Sequence, residues 1–348
     1  MVVAPGIVEL EPGTDPRSIA SALARRRPSL LQCWEPLPER LLDAAATALA
    51  EFPDVGFRVY GRDLDPSLGW LARFAHVRDL RIDLWHVTSF DLLESFKSLQ
   101  HLSLGETASK RPSLRFLQHL PKLKVLRIEG HDRDFAVIAD VQTLKELHLR
   151  VPRAKTLDPL RGHPRLEVVA MSFGGIRDLT PLAEIPRLRG VDLYQIRKLN
   201  TDDLGALGMC KLLVAVSLGA LRNVEHLSAL AQGPRRTLRY LTLEQMGGLK
   251  TLADLGECDA LEQVYLVGSK PKDRRLDLVA RGKALRHLVV GDYYTRQEFE
   301  AADAVFRGET LWVRGRSVRG DTERRNVDVR WRRPVAEYLT LFRYPDQG

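Results

Sequence analysis

The chain has 348 residues, with 53 basic against 45 acidic side chains, a formal net charge of +8 and 44% hydrophobic residues. That apolar share is ordinary for a globular protein and fills a long, narrow core. No stretch approaches 18 consecutive apolar residues, which excludes a membrane-spanning helix, and three cysteines, an odd count in a long chain, argue against a disulfide framework. Arginine far outnumbers lysine, a bias that GC-rich bacterial coding produces, so the basic balance is weak evidence for an anionic partner.

From the N-terminus, residues 1–51 carry two helical patterns, Arg17 to Arg26 and Pro38 to Glu51. They are expected to form an N-terminal helical cap. The opening residues lack a basic region followed by an apolar run, so they do not read as a secretion signal. With no Asn-x-Ser/Thr acceptor either, the expectation is a soluble, cytoplasmic protein.

A repeat begins near residue 52. The pattern Leu-x-x-Leu-x-Leu returns every roughly 21 to 25 residues: LQHLSL from Leu99, LKVLRI from Leu123, LKELHL from Leu144, LRGVDL from Leu188 and LRYLTL from Leu238. Further units start at Val77, Leu166, Leu213, Leu261 and Leu285. Degenerate ones at each end, Phe52 with Val55 and Phe57, and Gly308 with Leu311 and Val313, bring the total to about 12. Residues 52–313 are therefore read as one solenoid, since such a domain grows turn by turn and outruns the length prior of ordinary domains.

Within a unit, positions 4 and 6 differ by two, so their side chains leave one face of a strand and enter the core. Apolar residues also stand at −9, −6 and −3, as with Leu114, Leu117 and Leu120 before Leu123, a step that suits a 3₁₀ turn. Cys210 and Cys258 share the −3 position and read as small core residues; Cys33 reads as a buried thiol. The segment Gln232 to Thr237 is an insertion that breaks the register.

This pattern resembles the leucine-rich repeat family, and Ile176 to Leu193 is most like the short repeats of bacterial internalin-type proteins. The resemblance implies an α/β fold: a curved leucine-rich repeat horseshoe with a parallel sheet on its concave side and short 3₁₀ or helical segments on its convex side. It also implies a protein-binding role. The sequence departs from the family at position 9, where asparagine is usual. Here that position reads Trp85, Thr107, His131, Pro152, Gly174, Ile196, Leu221, Met246 and Ser269. No asparagine ladder is expected.

Positions 3, 5 and 7 point out of the sheet. In the first half they are charged: Asp79, Arg81, Asp83, His101, Arg127, Glu129, His148 and Arg150. In the second half they turn aromatic, with Tyr194, Tyr240, Tyr265 and Trp312, and His287 among them; Tyr293 and Tyr294 fall in the adjoining loop. Exposed Tyr, Trp and Arg are the types that anchor protein interfaces. Tyr194, Tyr240, Tyr265, His287, Trp312, Arg127, Glu129, His148 and Arg150 are the candidate partner-binding residues.

Residues 314–348 are expected to form an arginine-rich C-terminal cap. Its alternative use is anion or nucleic-acid binding through Arg324, Arg325, Arg332 and Arg333, though no nucleic-acid module accompanies them. Arg319-Gly320-Asp321 reads as a polar turn rather than an adhesion motif. No P-loop, HExxH, GxSxG or Cys-x-x-Cys motif occurs, and His163 falls at a core position. A cysteine-dependent ligase domain, carried by some bacterial leucine-rich effectors, needs more chain than the residues after Val313 provide. The expectation is a non-catalytic scaffold without cofactor or metal, binding a protein partner and no membrane; an effector or immunity-type role is a variant of the same reading.

Overall fold

In the computed structural model, the described residues are 3–4, 6–109, 112–152, 154–291, 293–313 and 316–319, with side chains described at all of these except 3, 4, 310, 312, 313 and 316–319. The chain divides into two compact units, Met1–Ala154 and Lys155–Gly348.

The first unit holds β1 (Val3–Ala4), β2 (Ile7–Glu9), β3 (Leu30–Cys33), β4 (Gly56–Gly61), β5 (Asp79–Leu84), β6 (His101–Leu104), β7 (Val125–Glu129) and β8 (Glu146–Arg150). β1 pairs antiparallel to β2, and from β2 to β8 each strand pairs in parallel with the next. Helices α1 (Ser18–Arg26) and α2 (Glu39–Glu51) fall where the sequence predicts them. The parallel ladder, however, already includes β2 and β3, which lie within residues 1–51 and carry no Leu-x-x-Leu-x-Leu signature.

The second unit holds β9 (Val168–Ser172), β10 (Gly190–Tyr194), β11 (Ala215–Gly219), β12 (Tyr240–Glu244), β13 (Gln263–Val267), β14 (His287–Val290), β15 (Thr310–Val313) and β16 (Arg316–Arg319). β9 to β15 form parallel pairs in order, and β16 pairs antiparallel to β15. Short helices α3 (Thr180–Ala183), α4 (Ser228–Gln232) and α5 (Asp277–Ala280) lie between strands, with a longer α6 (Arg296–Val305) closed by a Thr295–Glu298 capping box. The remaining residues of 314–348, expected to cap the repeat, lie outside the described residues.

The register is that of the repeat, position for position. Leu193 stands opposite Met171 and Leu218, and Leu126 opposite Leu102 and Leu147. Inward side chains of neighbouring turns therefore stack into continuous rows: Leu102, Leu126, Leu147, Leu193 and Leu218 are each 1% exposed or less. Each buried leucine contributes about 1.5–3 kcal/mol. The step-of-three residues form 3₁₀ segments, such as Arg115–His119 and Ala253–Glu257. All three cysteines are buried and free, and burial pushes each thiol up to about 12.

After each strand from β7 to β13 the chain turns out of the sheet through a left-handed residue at position 8: Gly130, Val151, Phe173, Gln195, Ala220, Gln245 and Gly268 all have φ between 49° and 74°. Position 9 is buried in many units even without asparagine, although Trp85 is exposed there. Ile196, Leu221 and Met246 fill it with apolar side chains that are at most 1% exposed. His131 Nε2 lies 2.9 Å from the Gly105 carbonyl, and Ser269 Oγ donates to the Leu243 carbonyl at 2.8 Å, so polar occupants bond the preceding turn.

Candidate functional site

The outer face of each sheet is set by the pleat. In the first unit three rows run across the strands. The middle row reads Arg58, Arg81, Ser103, Arg127 and His148. Acidic residues flank it on both sides. Arg58 Nε donates to Asp83 at 2.7 Å, Arg81 Nη2 lies 3.2 Å from Asp79 Oδ2, and Arg150 Nε donates to Glu129 at 2.8 Å. Burial pushes the Asp79 carboxyl up, but His101 and Arg81 outweigh it and hold the carboxyl below its usual range.

Arg127 differs from these arginines. It is half-buried, and among the described residues its side chain has no hydrogen bond and no ion pair within 4.0 Å. Burial, then repulsion from Arg81, lower its pKa. Beside it, His148 Nε2 is buried without a hydrogen-bond partner; its nearest carboxylate oxygen, Glu146 Oε2, stands at 3.7 Å. That is too long for a hydrogen bond. Burial and the Arg127 charge lower the His148 pKa against the pull of Glu146, which leaves the ring neutral at pH 7.

At the exit of these strands lies a shallow cleft of about 290 Å³, lined by Gly61, Arg62, Asp83, Trp85, Gly105, Glu106 and Glu129. Gly105 floors it because a Cβ there would meet Asp83 Oδ1 at 2.6 Å.

In the second unit the outer face carries four of the predicted aromatic and histidine side chains. Tyr194 lies flat over β11: a Cβ on Gly219 would meet its Cδ2 at 2.3 Å, so only glycine admits the ring there. Phe173 packs against it edge-on, with ring centroids 5.7 Å apart. Tyr265 is half-buried and its phenol pKa is raised by burial. Tyr240 is only 8% exposed, a floor residue more than a presented one. His287 is partly exposed, with Nε2 3.9 Å from Glu309 Oε2. The Trp312 backbone pairs opposite Val289, while its side chain lies outside the described ones. The two loop tyrosines part company: Tyr293 is 54% exposed, whereas Tyr294 is buried and donates to the Ser269 carbonyl at 3.1 Å.

Sequence reasoning missed Asp192. It sits on the same outer face, opposite Ala170 and Ser217, yet is only 5% exposed. Burial pushes its carboxyl up to about 7; a Ser217 hydrogen bond opposes the shift and Glu244 adds to it. The available signal was the ring of small neighbours, Ala170, Gly190 and Ser217, which lets Tyr194 fold down beside the carboxylate. Arg324, Arg325, Arg332 and Arg333 lie outside the described residues. Among the described residues no group of three or more His, Cys, Asp or Glu is placed to hold a metal ion, and no helix is long and apolar enough to cross a membrane.

Parallel ladders in repeat register, 3₁₀ segments opposite the strands and a kink at position 8 of successive units define the architecture. Among solved structures it is similar to an internalin, inlF, of Listeria monocytogenes, at 17% identity over 80% of this chain and 77% of that one, with a TM-score of 0.53. The chain has the leucine-rich repeat fold. Looser likenesses are to a leucine-rich repeat protein of Leptospira interrogans, at 12% identity over 82% of this chain and 89% of that one with a TM-score of 0.41. Another is to a chain of the Drosophila Toll–Spatzle complex, at 13% identity over 89% of this chain and 48% of that one with a TM-score of 0.48. At these identities the likeness is one of fold. No protein-family model and no curated protein sequence matches this leucine-rich repeat chain.

Proposed function

We propose that this leucine-rich repeat protein is a non-catalytic scaffold that takes a protein partner on the outer face of its sheets, in the cytoplasm. The observation that carries the reading is the composition of that face. Side chains at positions 3, 5 and 7 point away from the core, and Tyr, Arg and His recur among them on a hydrogen-bonded ladder. Tyr194 and Tyr265 in the second unit, with Trp312 and His287, supply the anchors; Arg127, Glu129, His148 and Arg150 in the first unit supply the polar contacts. Tyr and Trp bring contact area at low entropic cost, and Arg brings directed hydrogen bonds. An effector or immunity-type role would use the same face.

The test is affinity capture from extracts of the source cell, read by mass spectrometry, with wild type and two variants. One variant is Tyr265→Ala with Trp312→Ala. The other changes Arg324, Arg325, Arg332 and Arg333 to Ser. A partner that binds the outer face is lost from the aromatic variant, at a cost on the order of 2 kcal/mol per true anchor, and is retained by the arginine variant. The opposite ranking would transfer the function to the arginine-rich tail and to an anionic or nucleic-acid ligand.

A further inference from the structure

The middle row of the first unit's outer face holds an uncompensated donor set. Arg58, Arg81 and Arg150 each have a carboxylate within 3.2 Å. Arg127 has none among the described residues, although it is half-buried. A guanidinium carries five N–H donors, and removing them from water without an acceptor is costly. On one side of it stands His148, whose Nε2 is buried without a partner. On the other stands Ser103, whose short side chain leaves a notch between Arg127 and Arg81. Guanidinium and hydroxyl donors thus stand side by side on one spot of a sheet face, and among the described residues Arg127 has no hydrogen-bonded acceptor there.

We infer that the notch over Ser103, between Arg127, Arg81 and His148, receives a side-chain carboxylate of a protein partner. This rests on the outer face being the protein-binding face. The guanidinium fork matches a carboxylate in two parallel hydrogen bonds, the Ser103 hydroxyl adds a single donor, and the His148 ring stands beside them as a neighbour. Local charge selects the monoanion over phosphate. Around the notch the Arg58–Asp83, Arg81–Asp79 and Arg150–Glu129 pairs cancel, and Glu146 offsets Arg127, so no surplus positive charge remains to hold a dianion. The spare capacity is in directed donors, not in net field.

The test follows the His148 imidazole of the full chain by NMR, assigned with His148→Gln. The probes are a capped Gly-Glu-Gly peptide, its Gly-Gln-Gly counterpart and inorganic phosphate. The Glu peptide is expected to shift the resonance saturably in the millimolar range, and the Gln peptide to leave it unmoved. Arg127→Gln is expected to weaken the Glu peptide on the order of tenfold or more. Ser103→Asp places a carboxylate in the notch from within; it should abolish the peptide response and raise the thermal midpoint. An equal response from the Gln peptide or from Arg127→Gln overturns the inference. So do tighter binding of phosphate than of the Glu peptide, no response at all, or an unchanged response in Ser103→Asp. A partner captured by wild type and lost from the aromatic variant, alongside a silent titration, would remove this site and leave the scaffold reading standing.

Discussion

Asp192 is the residue at which pH should speak through stability. Its carboxyl titrates near 7 in the folded chain, above the ordinary aspartate value of 3.8. Between those values the native state holds a proton that the unfolded state has released. Stability from this group is therefore complete below about pH 4 and is lost as pH rises toward 7. The effect is on the order of a few kcal/mol at most. Urea midpoints of wild type should fall from pH 5 to pH 8 by more than those of Asp192→Asn; parallel profiles would mean that Asp192 titrates as an exposed carboxylate. The cysteines give a second test at this scale. With thiols buried and pushed up to about 12, Cys210 and Cys258 should resist a thiol reagent in the native state and react at once in denaturant. Rapid native labelling of either would place it at the surface.

A repeat unit stands on two features, the inward row and the left-handed exit. Leu147 is fully buried in the row formed with Leu126. Leu147→Asp sets an unpaired carboxylate there and should cost several kcal/mol and the cooperativity of unfolding. Wild-type unfolding of that variant would mean a wrong register. At position 8, a β-branched side chain is strained where glycine is at ease. Val151 has φ 49° and Gly268 has φ 61°. Val151→Gly should be neutral or stabilising by up to about 1 kcal/mol, while Gly268→Val should destabilise by roughly 1–2 kcal/mol. Chemical denaturation of the pair checks the sign contrast; equal losses would mean that position 8 is not conformationally selected.

For the molecule as a whole, the distinguishing measurement is the salt dependence of binding. A partner anchored by Tyr265 and its neighbours buries apolar surface, and its affinity should change little between low and moderate salt. A phosphate-rich ligand on the arginine-rich tail would lose affinity steeply over the same range. Calorimetric titration of the captured partner at two ionic strengths separates the two, and a steep fall would sink the outer-face reading.

The strand positions, their phase and the inward rows were legible in the chain because one short unit recurs. An error in reading Leu123 is corrected by Leu144 and Leu188. The 3₁₀ approach was legible for the same reason, as was the burial of Cys210 and Cys258 at a shared position. β2 and β3 were not, because residues 7–33 lack the repeat signature and join the ladder only through the pairing of β3 with β4. The outward direction of Arg127, His148, Tyr194 and Tyr265 also follows from sequence, since the pleat alternates. The neighbours that each side chain meets on that face do not. Arg81 pairs with Asp79 whereas Arg127 has no ion pair within 4.0 Å among the described residues, Tyr194 folds over Gly219 while Tyr240 sinks, and Asp192 is enclosed on a face that the pattern marks as exposed. Those outcomes depend on residues in neighbouring turns, some twenty positions away in the chain. Periodicity decides which side of a strand a residue takes; only the register of one turn against the next decides its neighbours.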